Sequence, residues 1–184
     1  MIEITTFSTH AYIGNLDTSG LTEIVQRYHD STTTKIQYSN RGGWQSAAMS
    51  VGDCAEFDQI IVEIQQYLAP IYKEYGVGHK PVLSNYWFNV NQQHSYNLSH
   101  THPGSVFSTV LYLQVPEHSG NLILQRSDNQ QAYVIANHST PKNQTNFTIE
   151  PTEGMLIAFP SHVPHYVEQN ESDQQRISVA FNFK

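Results

Sequence analysis

Three histidines and one arginine carry most of the chemistry legible in this chain. His100 and His102 flank Thr101, His165 follows 65 positions after His100, and Arg176-Ile177-Ser178 comes eleven positions later. A neutral imidazole is a borderline donor that suits iron or copper, and two histidines two apart on an extended chain point to the same side. A third histidine from a distant strand would complete a facial set of ligands and leave three metal positions open for a cosubstrate and O2. An arginine on the same cavity would receive a carboxylate bidentately, with Ser178 donating from the same face of its strand.

Plainer readings compete with this one. The chain carries ten histidines, and for His10, His29, His79, His94, His118 and His138 a surface or hydrogen-bonded role is expected. His162 stands three residues before His165, a spacing that should turn it elsewhere, so His165 is the preferred distal ligand. Arg176 would equally be explained by a salt bridge to an internal Asp or Glu, or by exposure at the start of a strand.

The elements that must position these residues fall into two parts. Leu21, Ile24, Val25 and Tyr28 recur at helical spacing behind the candidate caps Thr18 and Ser19. Ile60, Ile61, Ile64, Leu68, Ile71, Tyr72 and Tyr75 form a wider stripe, with Asp53 and Glu56 spaced as a capping box, Gly76 as a stop and Pro70 expected to kink or split the helix. From Pro81 onward short β runs take over, at 82–91, 105–115, 121–125, 132–136, 147–150, 155–159 and 176–183. In the last run Ile177, Val179, Phe181 and Phe183 share one face, while Arg176, Ser178, Ala180 and Asn182 share the other. The run 82–91 divides in the same way, with Tyr86, Phe88 and Val90 opposed to Trp87, Asn89 and Asn91. The apolar sides would pack on the helices, and the polar sides would line a cavity between two sheets. The expected fold is mainly β with N-terminal helices, a sandwich or jelly roll.

At 184 residues the chain is read as a single domain, 1–184, with 1–80 a helical support region and 81–184 most of the β-barrel core. The lone cysteine, Cys54, excludes an internal disulfide and a cysteine-based zinc site. A net charge of −7 with only nine Lys and Arg argues against nucleic acid as a partner. The first residues lack the basic and apolar regions of a signal peptide, and no apolar run approaches a membrane span, so a soluble cytoplasmic protein is expected. A sheet edge or the apolar helix stripe would serve a homodimer.

Several segments, taken together, carry a family resemblance. They are Ser39-Asn-Arg-Gly-Gly-Trp44-Gln-Ser46, Trp87-Phe-Asn89-Val-Asn91, His100-Thr-His102-Pro-Gly-Ser105, Val110-Leu-Tyr112-Leu113, Ser119-Gly120-Asn-Leu, Glu153-Gly154 before Met155, His165, and Arg176-Ile-Ser178 through Phe183. In order and spacing they resemble the 2-oxoglutarate and Fe(II)-dependent oxygenase superfamily, and more closely its small bacterial and phage branch. The resemblance implies a double-stranded β-helix, cupin-like, that binds Fe(II) and uses 2-oxoglutarate as cosubstrate. Carried over by position, His100 is the first metal ligand, His102 stands where the family has a carboxylate, and His165 is the distal ligand. Arg176 and Ser178 fall to the far carboxylate of 2-oxoglutarate, with Asn89 and Asn91 as further cosubstrate-binding candidates and Tyr112 within reach of the same cavity. The departure at His102 would leave three neutral ligands, unless His102 swings aside for water or another carboxylate. The implied reaction is oxidative decarboxylation of 2-oxoglutarate to succinate and CO2, coupled to hydroxylation by O2 of a small molecule or a protein side chain. Two rivals stay open at this level. One is a three-histidine cupin-type dioxygenase without 2-oxoglutarate; the other is a non-catalytic jelly-roll binding or assembly module.

Overall fold

The apolar stripe beginning at Leu21 folds as helix α1 (Leu21–Ser31), which buries Leu21 and Val25 and packs Ile24 and Tyr28 against the core. The computed structural model describes residue 2, residues 8–126, residue 140 and residues 143–184. Thr18 and Ser19 do not cap α1 through their side chains. Gly20 occupies the cap position in the left-handed region, and both the amide and hydroxyl of Ser19 donate to Asp17 instead. Only the Thr18 carbonyl serves the helix, accepting from the Leu21 amide.

The second stripe forms α2 (Asp58–Glu74), preceded by a 3-10 turn at Ala55–Phe57. The expected capping box is absent: Asp53 accepts from the Ser50 amide, Glu56 accepts from the Cys54 thiol, and Asp58 accepts from the Gly52 amide. Pro70 leaves the helix unbroken. It sits on the exposed side with Gln66, so the carbonyl that loses its amide donor is open to water. Gly76 ends α2 as expected, with φ +69, its amide bonded to the Lys73 carbonyl and the Val77 amide to the Tyr72 carbonyl. That pair of bonds satisfies carbonyls the last turn would otherwise leave open.

The strands are β1 (Tyr12–Asn15), β2 (Asn40–Arg41), β3 (Trp44–Gln45), β4 (Leu83–Asn91), β5 (Tyr96–His100), β6 (Phe107–Gln114), β7 (Leu122–Gln125), β8 (Asn146–Ile149), β9 (Met155–Pro160), β10 (His165–Val167) and β11 (Arg176–Phe183). One sheet has the order β1-β9-β6-β11-β4-β3 and the other β2-β5-β10-β7-β8, and every pairing is antiparallel. Six of the expected runs appear; the run at 132–136 lies outside the described residues. Residues before 80 supply three short strands as well as the two helices.

Alternation along β4, β6 and β11 builds the two compartments. Phe88, Val90, Leu111, Val179, Phe181 and Phe183 face the helices in one apolar core. Val110 and Tyr112, from the opposite face of β6, pack with Leu122, Leu124, Ile149, Ile157 and Phe159 between the sheets. Asn85, Trp87, Asn89, Asn91, Ser108, Arg176, Ser178 and Asn182 line the space left between the two sheets. The polar face read from the sequence of β11 and β4 is therefore the inner wall of the barrel.

Candidate active site

The inner wall encloses one cavity of about 900 Å³ that holds both halves of the expected chemistry. His100, at the end of β5, stands in register with His165 of β10. Two steps along β10, from His165 to Val167, match three along β5, from His100 to Asn97. This bulge re-aims β5, and it turns Asn97 and His100 toward the same Ser39 hydroxyl. His102 lies beyond the strand rather than within it. Its amide donates to the Ser161 carbonyl, its carbonyl accepts from the Ser105 amide, and Gly104 at φ +85 permits that turn.

The three rings converge. Ring centres lie 4.3 Å apart for His100 and His165, and 5.0 Å for His100 and His102 and for His102 and His165. One ligand atom from each falls within 4.8 Å of the others, the group among the described residues that could hold a metal ion. His100 Nδ1 donates to the Leu98 carbonyl at 2.8 Å and His165 Nδ1 to the Val163 carbonyl at 3.0 Å, which leaves the Nε2 lone pair of each free to face a metal. His102 Nε2 lies 3.2 Å from His165 Nε2, so both lone pairs can meet one ion when His102 carries its proton on Nδ1. Burial favours the neutral rings required: it pushes His102 down to about 4 and His165 to about 3, with the neighbouring His100 adding to both, and it lowers His100 as well. Trp87 lies over His102 and the edge of Phe159 abuts His165. His162 is exposed, outside this group.

Arg176 is 2% exposed and lies on the same cavity. Its guanidinium donates to the carbonyls of Ser119 and Gly120. No salt bridge from Arg176 to an acidic side chain occurs among the described residues, and burial weakens its hold on its proton. The alternative of an exposed strand start is therefore set aside, and that of an internal ion pair finds no partner among the described residues. Register places Asn91 opposite Arg176, and Asn89 and Tyr112 opposite Ser178. The Asn91 Nδ2 is buried without a hydrogen-bond partner, and a buried orphan donor of this kind needs an acceptor. Tyr112 is fully buried on the same wall, and burial pushes its phenol up to about 12.

Sequence reasoning missed Ser39 and Asn97 as site residues, and the carbonyls of Leu98, Val163, Ser119 and Gly120 as partners. Ser39 and Ser119-Gly120 lie within the segments that carry the resemblance, which was the available signal; Asn97 gave none. Among the described residues the cavity lining contains no Asp, Glu or Lys. Among those residues there is thus no carboxylate to complete the metal set in place of His102.

A prolyl-4-hydroxylase from Pseudomonas putida superposes with a TM-score of 0.71 at 18% identity, over 96% of this chain and 93% of that one. A Trichoplax adhaerens prolyl hydroxylase, solved with a hypoxia inducible factor peptide, gives 0.68 at 14% identity over 94% and 82%. HygX from Streptomyces hygroscopicus, solved with nickel and 2-oxoglutarate bound, gives 0.60 at 10% identity over 95% and 82%. The fold is thus the double-stranded β-helix of 2-oxoglutarate oxygenases. No curated protein matches the sequence. A family model described as "Putative 2OG-Fe(II) oxygenase" matches residues 85–182, more than half of the chain and the whole span from Asn85 through the three histidines to Asn182. The chain belongs to this family of 2-oxoglutarate- and Fe(II)-dependent oxygenases.

Proposed function

We propose that His100, His102 and His165 hold the iron, that Arg176 with Ser178, Asn91 and Asn89 holds the far carboxylate of 2-oxoglutarate, and that the enzyme hydroxylates a substrate seated in the rest of the cavity. The observation that carries this reading is a buried arginine, without an acidic partner among the described residues, opening on the same cavity as three converging neutral histidines. A buried cation so placed calls for an anionic ligand, and a dicarboxylate reaching from Arg176 toward the histidines meets both demands.

Bound iron would activate O2, the oxidant, with 2-oxoglutarate giving up two electrons as it is decarboxylated to succinate and CO2, so that one oxygen atom goes to succinate and the other to the substrate. The chain's own groups do the rest. The Leu98 and Val163 carbonyls hold two rings in the tautomer that exposes Nε2. The Ser119 and Gly120 carbonyls fix the guanidinium before ligand arrives, so less side-chain freedom is lost on binding. Phe159, Leu122 and Val110 exclude water from the inner wall. The remaining lining, including Gln45, Asn85, Trp87, Ser108 and Asn182, is uncharged and suits an uncharged part of a small molecule or a protein side chain.

We also take residues 1–184 as one domain working in the cytoplasm, with a homodimer as its assembly. No helix among the described residues is long and apolar enough to cross a membrane. Sedimentation at two protein concentrations reports the assembly. Activity is tested by O2-dependent release of succinate from 2-oxoglutarate by Fe(II)-loaded protein. Release that His165→Ala and Arg176→Met both abolish supports the reading. O2 uptake that ignores 2-oxoglutarate would favour a cupin-type dioxygenase instead.

A further inference from the structure

We propose that Ser39, oriented by Asn97, is a further residue of the metal centre, whose hydroxyl donates a hydrogen bond to the small exogenous ligand seated beside His100. This rests on His100, His102 and His165 being the metal ligands.

Ser39 reaches the site from the second sheet. Its carbonyl accepts from the Leu98 amide at 2.9 Å, which locks it beside β5, and the next residue, Asn40, pairs with Asn97. Its Oγ lies 3.4 Å from His100 Nε2, the ring nitrogen left free by the Nδ1 bond to the Leu98 carbonyl. Asn97 Nδ2 donates to the same Oγ at 3.3 Å. Donor polarity then decides the outcome. With Asn97 engaging a lone pair of Oγ, the Ser39 proton is left to donate toward His100. Once a metal takes the Nε2 lone pair, that acceptor is gone, and the proton must turn to whatever ligand sits next to His100 in the coordination sphere. A hydroxyl beside that position, in a cavity with no acidic side chain among its described lining residues, is a fixed donor where ligand charge gathers. Asn97 donates to the Ser39 hydroxyl, so it acts through Ser39 and is a positioning residue.

The test needs no substrate. Wild type, Ser39→Ala, Ser39→Thr and Asn97→Ala are loaded anaerobically with Fe(II), then with 2-oxoglutarate, then with nitric oxide as a stand-in for O2. Visible and electron paramagnetic resonance spectra and the affinity for each ligand are recorded. In Ser39→Ala the spectrum of whichever ligand lies beside His100 should shift and its affinity fall about tenfold, the loss of one hydrogen bond to a charged or polarised group. Ser39→Thr, which keeps the hydroxyl, should restore both, and Asn97→Ala should fall between. Unchanged spectra and affinities in Ser39→Ala would overturn the proposal. So would equal losses in the alanine and threonine variants, which would point to packing, and so would loss of Fe(II) itself in Ser39→Ala with retention in Ser39→Thr, which would make Ser39 a ligand. A wild type that takes up neither Fe(II) nor 2-oxoglutarate would instead overturn the assignment of the site as a whole.

Discussion

Replacing Arg176 by methionine should separate binding from stability with opposite signs. In the free protein the guanidinium is buried, and its two recorded partners are the neutral carbonyls of Ser119 and Gly120. Methionine removes a charge that is costly to bury and leaves two carbonyls short of a donor, at about 1 kcal/mol each. These effects oppose one another, so stability should stay within about 2 kcal/mol of wild type, a few degrees in Tm. Binding has no such compensation. A carboxylate brought into this wall without its cation forfeits about 2–5 kcal/mol, which is roughly thirtyfold to a few thousandfold in Kd. Calorimetric titration of 2-oxoglutarate into Mn(II)-loaded protein, with thermal denaturation of the metal-free protein alongside, reads both quantities. Affinity within threefold of wild type would refute the assignment of Arg176, whatever the stability shows.

Other consequences follow from the same geometry. Gly120 has φ +86, and an added Cβ would meet the Glu168 carbonyl oxygen at 2.5 Å, so Gly120→Ala should cost about 2–4 kcal/mol in urea denaturation. His165→Ala should weaken Co(II) binding more than about a hundredfold, while His162→Ala, at an exposed position, should leave it unchanged; equal effects would mean the wrong histidine has been chosen. Burial holds His102 at about 4 and His165 at about 3, below the unfolded imidazole value near 6.5. The folded state therefore binds fewer protons than the unfolded one between those values. Stability of the metal-free protein should be full above about pH 6.5 and fall by a few kcal/mol as pH drops toward 4. A flat urea-midpoint profile over that range would contradict the buried, neutral histidines.

Much of this site was legible because alternation on a strand is a strict code. The period of two in Arg176–Phe183 assigned Arg176 and Ser178 to one face with Ala180 and Asn182, and that face is the cavity wall. The same held for Asn89 and Asn91 in β4. The strands with weak signals were short or polar: β2 and β3 have two residues each and β10 three, too few to show a period. The inward turn of His100 depends on a bulge opposite β10, a pairing between distant segments that neither strand encodes alone. Helix ends misled for a local reason. The Ser19 hydroxyl donates to Asp17, Asp53 accepts from the Ser50 amide and Glu56 from the Cys54 thiol, so these expected cap residues were spent on loop geometry. Ser39 carried no period and no charge, and its place beside His100 arises only when β2 pairs with β5.

The central claim is that three histidines bind one metal while Arg176 binds the far end of 2-oxoglutarate in the same cavity. A crystal grown anaerobically with Mn(II) and 2-oxoglutarate tests it in one measurement, through anomalous scattering and ligand density. An anomalous peak bonded to Nε2 of His100, His102 and His165 is expected, with a carboxylate paired with the Arg176 guanidinium. A metal bound with His102 turned away, or 2-oxoglutarate seated away from Arg176, would contradict it.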